Sequence, residues 1–330
     1  MNGDYLDHNI GLDLVRVTEA TALTAGRWLG LGKREEAHRA ATEAMYQALS
    51  IVDIDGCIVI GEEGRLGGHT PLDTGQRVGT GHGPQVDVVV DPIEGTNSVV
   101  HGYPGAISMI SVAPRGSMWS PTPAVYMEKV VVDHEAAGAL VPECMEAPAA
   151  WTLALIARAK HKPVRDLQVI VLDRPRHYDL IEEIRSAGAR VLLRSDGDTA
   201  GALIAATPQA GADALMGIGG VPEGVAAACA VKAIGGGMLG RLAPQSAEER
   251  EAVEAASLSM EQTLTCHELI SSNQVFFVAT GITHGPLLAG VQYHGNEATT
   301  HSLVIRGETG TRRLIQTRHG ALDRVIGLKG

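Results

Sequence analysis

The sequence predicts a layered α/β protein. Apolar residues recur at helical spacing near the N-terminus, a β-branched strand runs straight into Asp91-Pro92, and strands alternate with helices in the second half. With 330 residues, 45% of them hydrophobic, the chain can bury one large core or two packed ones.

Ile10, Leu14, Val17, Leu23 and Trp28 mark a helix over 9–29. Ala37, Ala41, Ala44, Met45 and Ala48 share one face of a second helix, over 34–48. After Gly56, the run Cys57–Ile60 reads as a short strand. Residues 61–84 are polar and Gly-rich and predict a long loop, a setting that is often functional in compact domains. Val86–Val90 is the next strand. Beyond it, strands are expected at Leu167–Leu172, Ala189–Leu193 and Ala214–Met216, with helices at Tyr178–Ala187, Thr199–Ala206 and Val225–Ile234. That alternation argues for largely parallel strands. Val275–Ala279 reads as a further strand, and 299–316 as an antiparallel pair. Pro148 and the stretch Lys160–Arg165 interrupt the pattern. Two subdomains are therefore expected, 1–160 and 161–330, with the C-terminal strands free to return to the first.

Composition excludes several classes of function. Net charge is −11 and no basic stripe runs along the chain, so nucleic acid is not an expected partner. The longest apolar runs, such as Ile58–Ile60 and Val88–Val90, are far too short to span a membrane. Asp4 and Asp7 stand early with no apolar signal region, and Cys57, Cys144, Cys229 and Cys266 are scattered without a Cys-x-x-Cys pair. Both observations fit a cytoplasmic protein with free thiols.

The chemistry concentrates in Asp91-Pro92-Ile93-Glu94-Gly95-Thr96, at the end of a buried strand. Two carboxylates three residues apart on a turn can face one point, which suits Mg²⁺ or Mn²⁺, since hard cations take oxygen ligands. Gly95 clears space where a phosphate could meet backbone N–H groups, and Thr96 adds a hydroxyl.

This hexapeptide resembles the metal-binding motif of the inositol-monophosphatase-like superfamily, and its Glu94 points to the class II fructose-bisphosphatase branch. Further matches follow in order along nearly the whole chain. They include Val15–Ala20, Gly61-Glu62, Tyr126-Met127-Glu128-Lys129, Arg174-Pro175-Arg176-His177, Asp196-Gly197-Asp198 and the run from Gly217 to Gly224. The resemblance implies a layered α-β-α-β sugar-phosphatase fold, inositol-monophosphatase/fructose-bisphosphatase-like. It implies metal ligands at Glu62, Asp91, Glu94 and Glu223, with His38 standing where the family has a metal-binding Asp. It implies a catalytic centre of Thr96, Glu62 and Asp91, in which the Thr96 hydroxyl helps position the attacking water. Gly95 and Thr96 match the phosphate loop, and Tyr126, Arg174, Arg176, Asp196 and Asp198 match the sugar-bisphosphate pocket. The implied reaction is metal-dependent hydrolysis of a phosphate monoester in a sugar bisphosphate, such as fructose-1,6-bisphosphate or sedoheptulose-1,7-bisphosphate. The expected assembly is a homo-oligomer, dimer or tetramer.

Three departures stand out. The family's Gly-Asp-Lys-x-x-Ala-Asp-Gly becomes Gly32-Lys33-Arg34-Glu35-Glu36-Ala37-His38-Arg39, which swaps a hard ligand for a borderline one and relatively favours Mn²⁺. The loop 61–71 is one residue longer than usual, and an Asp-Glu pair that normally includes the acid partnering the threonine is replaced by Leu66 and Gly67. Asp73 could stand in after a loop shift. Asn273 stands where an Asp is usual. Three readings follow: a working sugar-bisphosphate phosphatase, a paralogue that binds sugar phosphates without hydrolysing them, and an enzyme acting on another phosphorylated sugar.

Overall fold

The structure, a computed structural model, describes residues 10–62, 68–320 and 322. The helices are α1 (Gly11–Ala25), α2 (Arg34–Leu49), α3 (Thr96–His101), α4 (Ala149–Ala159), α5 (Tyr178–Ser186), α6 (Asp198–Ala206), α7 (Val221–Ala233), α8 (Ala247–Ala255) and α9 (Cys266–Leu269). The strands are β1 (Asp55–Ile60), β2 (Arg77–Val78), β3 (Gln85–Glu94), β4 (Ile107–Pro114), β5 (Tyr126–Val132), β6 (Gln168–Leu172) and β7 (Arg190–Arg194). They continue with β8 (Ala214–Gly220), β9 (Gly237–Leu242), β10 (Leu264–Thr265), β11 (Phe276–Gly281), β12 (Gln292–His294), β13 (Glu297–Arg306) and β14 (Thr311–Gly320). The fold is mixed α/β with two mixed sheets, as the class expectation required. No helix among the described residues is long and apolar enough to cross a membrane.

The chain divides into two compact units, residues 1–118 with 274–330, and residues 119–273. The division expected at 160 falls inside the second unit, directly after α4.

In the first unit an eight-stranded sheet runs in the order β12-β13-β11-β4-β3-β1-β2, with β14 pairing β13. Leu14 of α1 and Met45 and Leu49 of α2 pack with Ile58, Val88, Ile110 and Val278 of the sheet. Each such fully buried aliphatic side chain stabilises the fold by about 1.5–3 kcal/mol. Where α1 meets α2 the contact is made by alanines, Ala22 and Ala25 against Ala37 and Ala41, clustered with Ile93 and Val99. Such small side chains let helix backbones approach closely, which sets the first turn of α2 near the end of β3.

In the second unit six strands run in the order β10-β9-β5-β8-β6-β7. The expectation of largely parallel strands holds only for β6 with β7 and with β8. The crossover through α7 does make β8 and β9 run the same way, but β5 inserts between them and is antiparallel to both. Val130 and Val132 of β5 pack with residues of α4 and α5 in one core cluster. Side chains alternate along a strand, so Lys129 points to the opposite face, where α6 lies.

Candidate active site

The end of β3 is shaped by a bulge. Asp91 pairs with Met109 of β4 and Glu94 pairs with Ile107, so three steps on β3 match two on β4. In a regular strand, residues three apart point to opposite faces. The extra residue brings Asp91 and Glu94 to the same side, and bulges re-aim side chains in this way. Asp91 stabilises the irregularity itself, since its Oδ1 accepts a hydrogen bond from Ile93 N at 2.9 Å. Both carboxylates are buried and offer oxygens within 4.8 Å of each other. Two unit charges that close repel by about 3 kcal/mol at an effective dielectric near 20. A divalent cation removes that repulsion, so this hard, all-oxygen donor set fits Mg²⁺ or Mn²⁺.

Gly95 follows with φ at +94°, and a Cβ there would lie 3.3 Å from the Cα of Ala106. Only glycine takes that turn without strain. Thr96 then opens α3. Its hydroxyl donates to Ile93 O at 3.1 Å, which leaves the oxygen able to accept. Arg34, at the start of α2, donates to the Asn97 side chain and ties the two helix starts together.

His38 and Glu62 meet in the same unit. His38 is 3% exposed and Glu62 fully buried, so His38 is not a helix-surface residue. Its Nε2 lies 2.6 Å from Glu62 Oε2, while Nδ1 has no hydrogen-bond partner among the described residues. The replaced loop acids fall at 66 and 67, within residues 63–67, which lie outside the described residues. Asp73 is buried, and Thr70 occupies both its oxygens, donating N–H to Oδ2 at 2.9 Å and its hydroxyl to Oδ1 at 2.7 Å. Burial alone would raise the Asp73 pKa, but hydrogen bonds from Thr70 and His69 outweigh it and hold the carboxyl below its usual range. A carboxylate engaged in this way is a weak proton acceptor.

The second unit carries the residues matched to the sugar pocket. Arg176 donates Nη2 to Ile218 O at 2.9 Å, and its guanidinium lies 5.3 Å from the Tyr126 ring centre. Arg174 reaches Asp196 at 3.4 Å. His177 is buried, with Nδ1 2.8 Å from Leu172 O, and its Nε2 accepts from Ile218 N at 2.8 Å. These partners fix the neutral Nδ1–H tautomer, and burial keeps the ring's pKa below 6.5. Asp198 begins α6 and pairs with Lys129. Glu223 is buried in the first turn of α7, and its carbonyl accepts from the Thr199 hydroxyl at 3.1 Å. Sequence reasoning assigned no role to Lys129, because a lone lysine reads as a surface charge. The signal that singles it out, a register position between Gly217 and Gly240, is visible only in the sheet.

A mixed α/β chain whose buried strand ends in paired carboxylates, followed by a Gly-Thr helix start, has the build of a metal-dependent phosphomonoesterase. The comparisons place it within that class. The family model described as bacterial fructose-1,6-bisphosphatase, glpX-encoded, matches residues 8–319. The fructose-1,6-bisphosphatase class 2 of Haemophilus influenzae is 38% identical over 327 residues, covering 95% of this chain and 97% of that protein. The fructose-1,6-bisphosphatase 1 class 2 of Escherichia coli K12 is 38% identical over 328 residues, covering 96% of each. The chain belongs to the glpX-type, class 2 fructose-1,6-bisphosphatase family, whose members are phosphoric monoester hydrolases dependent on metal.

Proposed function

We propose that this protein hydrolyses one phosphate monoester of a ketose bisphosphate, fructose-1,6-bisphosphate or sedoheptulose-1,7-bisphosphate. The observation that carries the reading is the buried Asp91–Glu94 pair, turned to one side by the β3 bulge and followed directly by Gly95 and Thr96. Asp91, Glu94 and Glu62 are the ligands offered by the first unit, and Glu223 is the family-matched ligand of the second. A bound Mg²⁺ or Mn²⁺ supplies charge neutralisation of the phosphate and a more acidic water. Thr96 accepts a hydrogen bond from the attacking water and orients it toward phosphorus. The water oxygen bonds to phosphorus, the ester P–O bond breaks, and the sugar oxygen leaves as a hydroxyl after taking up a proton. Arg174 and Arg176 bind the phosphate that stays on the sugar, with Tyr126 beside them, because planar guanidinium forks match phosphate oxygens. Asp196 and Asp198 accept hydrogen bonds from sugar hydroxyls.

His38 is a candidate fifth ligand. Its approach to Glu62 supports that role, since it brings two donor atoms to one point. Under this reading the first unit carries the metal and phosphate subsite and the second the sugar-phosphate subsite, in a cytoplasmic homo-oligomer, dimer or tetramer. A phosphate-release assay across fructose-1,6-bisphosphate, sedoheptulose-1,7-bisphosphate and several sugar monophosphates, each with Mg²⁺ and with Mn²⁺, tests it. Release from a bisphosphate above all monophosphates is expected. Faster release from a monophosphate would overturn the substrate assignment.

A further inference from the structure

We propose that Lys129 is a positioning residue for sugar recognition, holding the Asp198 carboxylate in place and aimed at a substrate hydroxyl. The inference rests on the reading of Asp198 as a sugar ligand and adds a residue that reading does not contain.

Lys129 is fully buried. A lysine is almost never buried without a specific partner, because taking an ammonium out of water is costly. Its Nζ contacts Asp198 Oδ2, and Asp198 is itself buried at the first position of α6. The sheet makes room for this pair. The residues in register with Lys129 are Gly217 on β8 and Gly240 on β9, so no side chain flanks the lysine stem on either strand. A Cβ at Gly219 would fall 1.9 Å from Asp198 Oδ2 and 2.6 Å from Lys129 Nζ, so any side chain there would displace the pair. Beside the lysine stands His177, held neutral between Leu172 O and Ile218 N. His177 therefore does not compete for Asp198 as a cation.

A buried ion pair of this kind contributes little to stability compared with apolar residues of similar volume. Its value lies in orientation. With Oδ2 committed to Lys129, the Asp198 carboxylate cannot rotate freely. A fixed carboxylate paired with an ammonium presents an acceptor oxygen, so it selects a ligand that donates from a hydroxyl at that point. Inorganic phosphate offers no such hydroxyl carbon framework, whereas a ketose bisphosphate does.

The test measures fructose-1,6-bisphosphate and inorganic phosphate affinity by calorimetry on the intact protein, with KM and kcat alongside. The variants are Asp198→Asn, Lys129→Met, Lys129→Arg and the double variant Lys129→Met/Asp198→Asn. Lys129→Met is expected to weaken the bisphosphate roughly 10- to 100-fold, the range for loss of a charged hydrogen bond, and to leave inorganic phosphate unchanged. KM should rise more than kcat falls, and Lys129→Arg should recover part of the loss. The double variant, which buries no unpaired charge and so folds even if Lys129→Met does not, should bind no worse than Asp198→Asn. If Asp198→Asn weakens the bisphosphate while Lys129→Met does not, or if the double variant is weaker than Asp198→Asn by the full Lys129→Met factor, the positioning role is wrong and the sugar-ligand reading survives. If Asp198→Asn leaves bisphosphate affinity unchanged, the sugar-ligand reading itself fails and this inference falls with it.

Discussion

On the proposed reading His38 takes the place of a metal-binding aspartate, and it is buried with its Nε2 2.6 Å from Glu62 Oε2. An imidazole is a poor partner for hard Mg²⁺ and a better one for Mn²⁺. Wild-type protein should therefore bind Mn²⁺ in preference to Mg²⁺, and His38→Asp should move the preference toward Mg²⁺. Calorimetric titration of both proteins with both ions checks this, and identical preferences would remove His38 from the ligand set. Arg176 gives a second expectation at this scale. Its side chain is already held by Ile218 O and lies near Tyr126, so it is poised before ligand arrives. Arg176→Ala should weaken bisphosphate binding by roughly 1.5–3 kcal/mol, the range for a hydrogen bond to a charged group, measured as a change in Kd. Some residues announced themselves in the sequence and others did not. Asp91 and Glu94 were legible because a strand, a proline, a glycine and a threonine surround them in one hexapeptide. Lys129 was not, because burial of a charge is a property of tertiary packing and leaves no local mark.

The β3 bulge is the element on which the proposed metal subsite depends, and Gly95 is its exit. An alanine at 95 would have to take φ near +94° against the Cα of Ala106. Left-handed backbone costs a non-glycine residue roughly 1–2 kcal/mol. Gly95→Ala should lower stability by at least about that much, read from urea unfolding, and an unchanged midpoint would contradict the strained geometry. The turn after β6 gives a pH expectation. Burial lowers the folded pKa of His177 below 6.5, so the unfolded chain binds more protons than the folded one between the two values. Stability in that window therefore rises with pH and is lost as pH falls below about 6.5 toward the folded pKa. His177→Gln should flatten this part of the stability profile, and an unaltered slope would show that the ring does not titrate on unfolding. At this scale helix and strand positions were readable from period, because α2 and β1 each bury one regular stripe. Strand direction in the second unit was not, because the insertion of β5 between β8 and β9 is a long-range pairing that no local pattern encodes.

At the scale of the whole chain, the first unit is assembled from the two ends of the sequence and the second from its middle. Local interruptions at Pro148 and 160–165 pointed to a division elsewhere, because α4 supplies its own apolar face to the core of the second unit and leaves no linker there. The family match extends over 8–319 and so spans both units. On the proposed reading the phosphatase activity depends on a divalent cation held by the Asp91–Glu94 pair. The most direct test is phosphate release from fructose-1,6-bisphosphate by wild-type protein and Asp91→Asn, each with Mn²⁺ and with chelator in its place. Release that requires the cation in wild type and falls by at least about a hundredfold in Asp91→Asn is the predicted result. Equal release by the two proteins, or release undiminished by chelator, would contradict it.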